Sequence, residues 1–183
     1  MNNAENVSVG KPAVAGAVFR APVGTTLPTD ATTALDAAFK NVGFISTDGV
    51  ENEDNVETES YRAWGGVVVI TYQTEKTDDF SFSMIEALNT EALKAYYGDS
   101  NVTGDLTNGI TVEANAEDLP ESSWVIEQVL RGGVLKRIVI PDAMVAEKGT
   151  ITYKDDEVIA YPLRLSGNAD ASGNTHYEYI KGA

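Results

Sequence analysis

Chemistry needs nucleophiles, bases and metal ligands, and this chain offers few of them. Its 183 residues include no cysteine and a single histidine, His176. Without cysteine there is no thiolate nucleophile, no soft metal ligand and no disulfide. Nucleophilic catalysis would need a serine beside a base that a third group orients. His176 is the one imidazole available, and no Gly-x-Ser-x-Gly elbow is present. Carboxylates are plentiful, with 28 Asp+Glu. Asp155-Asp156-Glu157 and Asp170-Ala171-Ser172-Gly173-Asn174 offer the oxygens that hard cations take, but not the spaced pattern of an EF-hand loop. Both read as solvated turns. Paired acids can hydrolyse glycosides, yet so many acids always supply pairs, and no spacing selects one. Gly10-Lys11 lacks the spacing and the following hydroxyl of a phosphate loop. The expectation is no enzyme, no cofactor and no metal.

Against those acids stand 13 Lys+Arg, for a formal net charge of −15. A groove that grips phosphate backbones works by releasing counterions to clustered cations, which are missing here. A polybasic membrane patch is excluded on the same ground. Trp64, Trp124 and the eight Tyr read as core and interface residues, because a stacking platform without a basic groove repels its ligand. With 43% hydrophobic and 22% charged residues the chain can bury a core, so acidity does not mean disorder. No apolar run approaches the ~20 residues of a membrane span. Residues 1–10 lack the basic-then-apolar pattern of a signal peptide. Absence of cysteine fits assembly in a reducing cytoplasm.

Any such residues must be held by elements, and the pattern is mainly β. Residues 1–35, broken by Pro12, Pro22 and Pro28, read as an extended N-terminal arm with one short strand at 17–21. Residues 36–183 read as a single β-domain. Its first strand, 39–46, ends at the turn dipeptide Asp48-Gly49. Residues 48–64 hold Glu51, Glu53, Asp54, Glu57 and Glu59 with hardly an apolar anchor. They read as a long acidic loop or a pair of exposed strand ends, closed by Trp64-Gly65-Gly66. Residues 67–74 are β-branched and aromatic, hence a strand. Phe80-Ser81-Phe82-Ser83-Met84 alternates with period two, which predicts a half-buried strand.

The period then changes once. One flanking helix is expected near 88–97, with Asn89 or Thr90 at its start and Gly98 at its end. Strands follow at 107–113, 123–130 and 134–140. Gly132-Gly133 turns a hairpin between the last two, and Pro141 ends it. A second hairpin is expected between 150–153 and 158–165, turning at Asp155-Asp156, and a short strand at 175–180. Many short strands and one helix imply two packed antiparallel sheets, a sandwich or barrel. Arms and long hairpins suit a chain that adds strands to its neighbours.

The segment Phe39-Lys40-Asn41-Val42-Gly43-Phe44-Ile45-Ser46-Thr47-Asp48-Gly49-Val50 is similar to the "hydrophobic-Gly-aromatic-hydrophobic, then Asp-Gly-Val" stretch of siphophage major tail proteins. An acidic stretch and a Trp-Gly-Gly-like segment follow in that family, as in 54–66 here. Then come a strand, a polar-alternating strand and a short helix, matched by 76–98. Ile151-Thr152-Tyr153 to Ala160-Tyr161-Pro162-Leu163 resembles the family's closing hairpin, which Asp170, Ser172 and Gly173 continue. The resemblance spans about residues 35–180, and the arm adds nothing to it.

The resemblance implies the tail-tube fold. Six copies would form a ring around a channel, and stacked rings would make the tube through which DNA leaves the virion. Partners would be the chain itself, a tape measure protein, and tail terminator and distal tail proteins. DNA would pass without specific binding, and no membrane is involved. The place would be the virion tail, assembled in the host bacterial cytoplasm. An anionic, cation-poor channel would repel a duplex with one phosphate per about 1.7 Å of axis. Glu57, Glu59, Glu75, Asp78 and Glu127 are the expected channel-wall acids. Contacts between copies are expected from the arm (Val7, Val9, Val14, Val18, Phe19), from Asp54, Arg62 and Trp64, and from Tyr177 and Tyr179. Apolar residues on a polar arm need a neighbour to cover them. Arg62, Lys136 and Arg137 are expected to meet the acids of an adjacent copy. The competing reading is a monomeric acidic β-sandwich, a binding or adhesion domain.

Overall fold

In a computed structural model that describes residues 2–182, the chain runs β1 (Lys11–Pro12), β2 (Val18–Pro22), β3 (Lys40–Asn41), β4 (Ile45–Arg62) and β5 (Val68–Met84). The helix α1 (Thr90–Tyr97) follows, then β6 (Val102–Asp105), β7 (Gly109–Val112), β8 (Ser122–Val129), β9 (Leu135–Lys148), β10 (Tyr161–Gly167) and β11 (Tyr177–Lys181). The fold is mainly β, as expected. One large antiparallel sheet has the order β3-β2-β8-β9-β10-β5-β4, with β1 also on β8 and β11 also on β9. A small second sheet pairs β6 with β7. The large sheet does not close into a barrel.

The sheet curls around its core. β8 and β5 lie three strand intervals apart, roughly 14 Å in a flat sheet. Yet the rings of Trp124 on β8 and Phe82 on β5 meet edge-on at 5.7 Å. Val18, Phe80, Met84, Ile126, Ile140, Leu163 and Leu165 complete this core. α1 closes it with Ala92, Leu93, Ala95 and Tyr96, all buried. Asn89 caps the helix by accepting the Glu91 N–H at 2.9 Å, and Gly98 ends it at φ +104°. β8 is buried on both faces, so its five buried residues run consecutively. Its second face packs Val125 with Ala21, Phe39 and Val139 beneath Leu27 and Leu35.

Several expectations are corrected. Of the expected arm, only residues 2–16 run outside the core. Val18 is fully buried and β2 is paired on both edges, by β3 and β8. The arm therefore ends well before residue 35, because β2 and residues 27–39 cover the two faces of β8. Pro141 does not end its strand. Ser122 lies opposite Ala143 and Trp124 opposite Ile140, so Pro141 and Asp142 bulge together against Ser123. A bulge asks no ladder bond of the proline nitrogen, and the Ser123 hydroxyl donates to the Pro141 carbonyl at 2.6 Å. The hairpin at 150–165 does not form either. β10 pairs with β5 on one edge and β9 on the other, which leaves residues 150–153 no edge to join.

The largest correction concerns residues 48–64. They are not a loop but, nearer the alternative of exposed strand ends, most of β4, an 18-residue strand paired with the 17-residue β5. Every residue from 51 to 76 is exposed. Val50 opposite Phe82 is the last apolar pair rooted in the core; beyond it the strands pair mainly with each other. At the tip, Ala63 N–H donates to Val67 O at 2.8 Å and Gly66 N–H to Ala63 O at 2.9 Å. Gly65 and Gly66 stand at φ +99° and +88°, the left-handed region that a glycine enters freely. A strand standing in solvent needs no apolar face, so low apolar content here did not mean loop.

Candidate assembly surface and acidic sheet face

Strand alternation sorts the acids. Phe80, Phe82 and Met84 turn into the core, so Ser81 and Ser83 turn out. The register places Glu51 opposite Ser81, Glu53 opposite Asp79, Glu57 opposite Glu75, Glu59 opposite Tyr72 and Tyr61 opposite Ile70. These pairs share the outward face. β10 continues it with Arg164 opposite Ser81, and β9 with Glu147 opposite Arg164. The result is a row of carboxylates crossed by one guanidinium. Arg164 binds Asp79 and approaches Glu147 at 3.7 Å. Asp79 beside it raises the guanidinium's pKa above the usual value. An open groove of ≈ 360 Å³ runs where Asp48, Glu51, Glu147 and Arg164 meet.

Three of the expected channel-wall acids, Glu57, Glu59 and Glu75, thus come together. The other two do not join them. Asp78 turns inward and is fully buried, because its partner Asp54 sits on the core-facing register with Asn52 and Val50. Its carboxylate takes Thr175 Oγ1 at 2.5 Å, His176 Nδ1 at 2.5 Å and Asn52 Nδ2 at 2.8 Å. Burial pushes the Asp78 carboxyl up, but the hydrogen bonds from Thr175, His176 and Asn52 outweigh it and hold it below the ordinary value. Glu127 stands on β8, ion-paired with Arg137.

The expected inter-copy residues also divide. Arg137 is committed within the chain, to Glu127 and to the carbonyls of Asp30 and Thr33 at 2.7 and 2.8 Å. Lys136 is committed to Glu178 at 2.6 Å. Val18 belongs to the core and Phe19 packs on the second cluster. Tyr177 and Tyr179 stack in parallel, half-buried, with Tyr177 Oη donating to Asp170 at 2.6 Å. Asp54 pairs with Lys76 at 3.2 Å. Exposed and apolar remain Val7 and Val9 at 70% and Val14 at 106%.

The hairpin adds a surface that extends well beyond Arg62 and Trp64. Trp64 is 105% exposed, and Val56, Tyr61, Val67, Val68, Val69, Ile70 and Tyr72 are exposed with it. Arg62 donates to Gly66 O at 3.0 Å and braces the tip. β10 reaches only as far as Asp79 on β5, and among the described residues β4 has no partner on its outer side. Both edges of the distal ribbon are therefore open. Glu51, Glu53, Glu147 and Arg164 on the acidic face, and the Val67–Ile70 row, were missed from sequence. The Phe80-Ser81-Phe82 alternation sorts the faces of β5 alone; the register that adds β4, β9 and β10 carries no local sequence signal.

Among the described residues no three or more His, Asp or Glu side chains are placed to hold a metal ion, and no helix is long and apolar enough to cross a membrane. No curated protein matches the chain by sequence. A solved structure similar to it is a cryo-EM structure of the anti-feeding prophage cap, the AFP tube-terminating cap. It is 11% identical at a TM-score of 0.46, over 97% of this chain and 96% of that one. The family model for phage tail tube protein matches residues 1–183. An exposed two-stranded ribbon and a carboxylate-rich sheet face on a mainly β frame thus belong to a member of the phage tail tube protein family.

Proposed function

We propose that the chain is the major tail tube subunit of a long-tailed phage, with six copies per ring and rings stacked around a channel for DNA. The observation that supports this is the 51–76 hairpin. A two-stranded ribbon is marginal alone in water. This one has open edges and apolar side chains in solvent, and such a surface marks a contact site. A second copy of the chain covers it. The acidic face of β4, β5, β9 and β10 lines the channel, where Glu51, Glu53, Glu57, Glu59, Glu75 and Glu147 keep phosphates from adhering. The exposed arm, with Val7, Val9 and Val14, joins one ring to the next. A tape measure protein inside and terminator and distal tail proteins at the ends complete the assembly, built in the host bacterial cytoplasm.

Electron microscopy of the purified protein at rising concentration tests this. Rings or tubes with a central hole are expected. A strict monomer at every concentration overturns the reading in favour of a monomeric binding domain.

A further inference from the structure

The hairpin's root is its last fixed point. β10 lies beside β5 only up to Asp79. One residue further, Asp78 is gripped by Asn52 of β4 and by Thr175 and His176, which lead into β11. Beyond Asp78, β5 has only β4 beside it. Whatever holds Asp78 therefore sets the direction of the ribbon against the body and the C-terminal strand.

We propose that Asp78 and His176 form a pH-sensitive latch, which holds the ribbon in one direction while the imidazole is charged and loosens it as that charge is lost. This deepens the assembly reading and rests on it only for what the ribbon docks against. Asp78 is fully buried and His176 is 20% exposed at its side chain. The ring packs edge-on against Phe80 at 5.4 Å, in an apolar wall. An ionised carboxylate only accepts, so His176 Nδ1 carries the proton in both charge states. The hydrogen bond to the carboxylate persists, and what is lost is the attraction between imidazolium and carboxylate.

The charged groups on neighbouring elements have other partners, except Asp142, whose Oδ1 is buried without a hydrogen bond. Asp79 on β5 is held by Arg164 of β10, and Lys76 by Asp54 of β4. Asp170 in the preceding loop is held by Tyr177 Oη and the Ser172 and Asn174 N–H groups. On β9, Asp142 lies between the residues paired with β10 and with β11. His176 is the chain's one imidazole.

Amide hydrogen exchange on the dilute, unassembled chain from pH 5 to 8, corrected for intrinsic rates, tests the latch. Protection at 73–79 and 52–58 is expected to fall about tenfold between the acid and the alkaline end of that range. His176→Gln keeps a neutral donor and removes the charge. Its profile should be flat, at the weaker level. Thr175→Val should lower protection at all pH values and keep the pH dependence. A flat profile in the unaltered chain, or the same pH dependence in His176→Gln, overturns the latch. Tube formation is scored in parallel. Tubes with a flat exchange profile sink the latch alone, whereas an exchange transition without tubes at any pH sinks the assembly reading alone.

Discussion

Glu57 on β4 and Glu75 on β5 stand directly opposite each other across the hairpin, one residue before β5 bulges. Like charges in that position are destabilising, and replacing one by its opposite converts repulsion into a cross-strand pair. Glu75→Lys is expected to raise hairpin protection in the free chain by up to ~1 kcal/mol in exchange free energy. In assembled tubes the same change should slow DNA passage, read as slower ejection from particles carrying it. Unchanged exchange at 55–77 would show that solvent already screens the pair.

Trp64 reports on docking. It is fully exposed at the ribbon tip, while Trp124 is 1% exposed in the core. Assembly should shift tryptophan emission to shorter wavelength. Trp64→Phe should abolish that shift and leave the thermal midpoint of the monomer unmoved. A shift that survives the substitution places the contact elsewhere.

The arm can be tested by deletion. Residues 2–16 touch the body chiefly through β1 on β8 and the Ser8 hydroxyl, which accepts the Arg131 N–H at 2.7 Å. Removing residues 1–16 should preserve far-UV circular dichroism and cooperative melting yet impair polymerisation. Normal tubes from the truncated chain would remove the arm from the inter-ring contact.

Arg20 on β2 donates two bonds to Asp99, each 2.8 Å, and a third to Ser122 at 3.0 Å. The guanidinium beside Asp99 holds its carboxyl below the ordinary value, against burial. A depressed carboxyl contributes stability above its unfolded pKa, and that stability is lost as pH falls through the folded one. Arg20→Met should therefore cost about 1 kcal/mol at neutral pH, since Asp99 is half-exposed and water screens the pair. The difference from the unaltered chain should begin to shrink below the ordinary aspartate value of about 3.9 and vanish only below the depressed folded one. A constant difference down to pH 2 would assign the effect to packing instead.

Trp124 fills the curl of the sheet against Phe82. Trp124→Ala should destabilise by about 3–5 kcal/mol in denaturant titration. A loss below 1 kcal/mol would mean that the core collapses around the gap.

Local pattern was enough for the elements that bury one face. Phe80-Ser81-Phe82 showed its own alternation, and Asn89 and Gly98 marked both ends of α1. Gly132-Gly133 turned the β8–β9 hairpin as expected. Composition alone argued against a phosphate-gripping groove. Burial and pairing between distant segments carried no such local mark. Nothing near Val18 announces that β2 closes the β8 edge, and although the Phe80 alternation turns Asp78 inward, nothing near it names His176, 98 residues away, as its partner. The 51–62 strand was hidden for the opposite reason, since a ribbon in solvent shows no apolar period. The sequence by itself thus determined a mainly β, strongly acidic chain. Only the tertiary structure decided which carboxylates share a face, because register across the large sheet is a long-range property that a two-residue period can propagate but not begin.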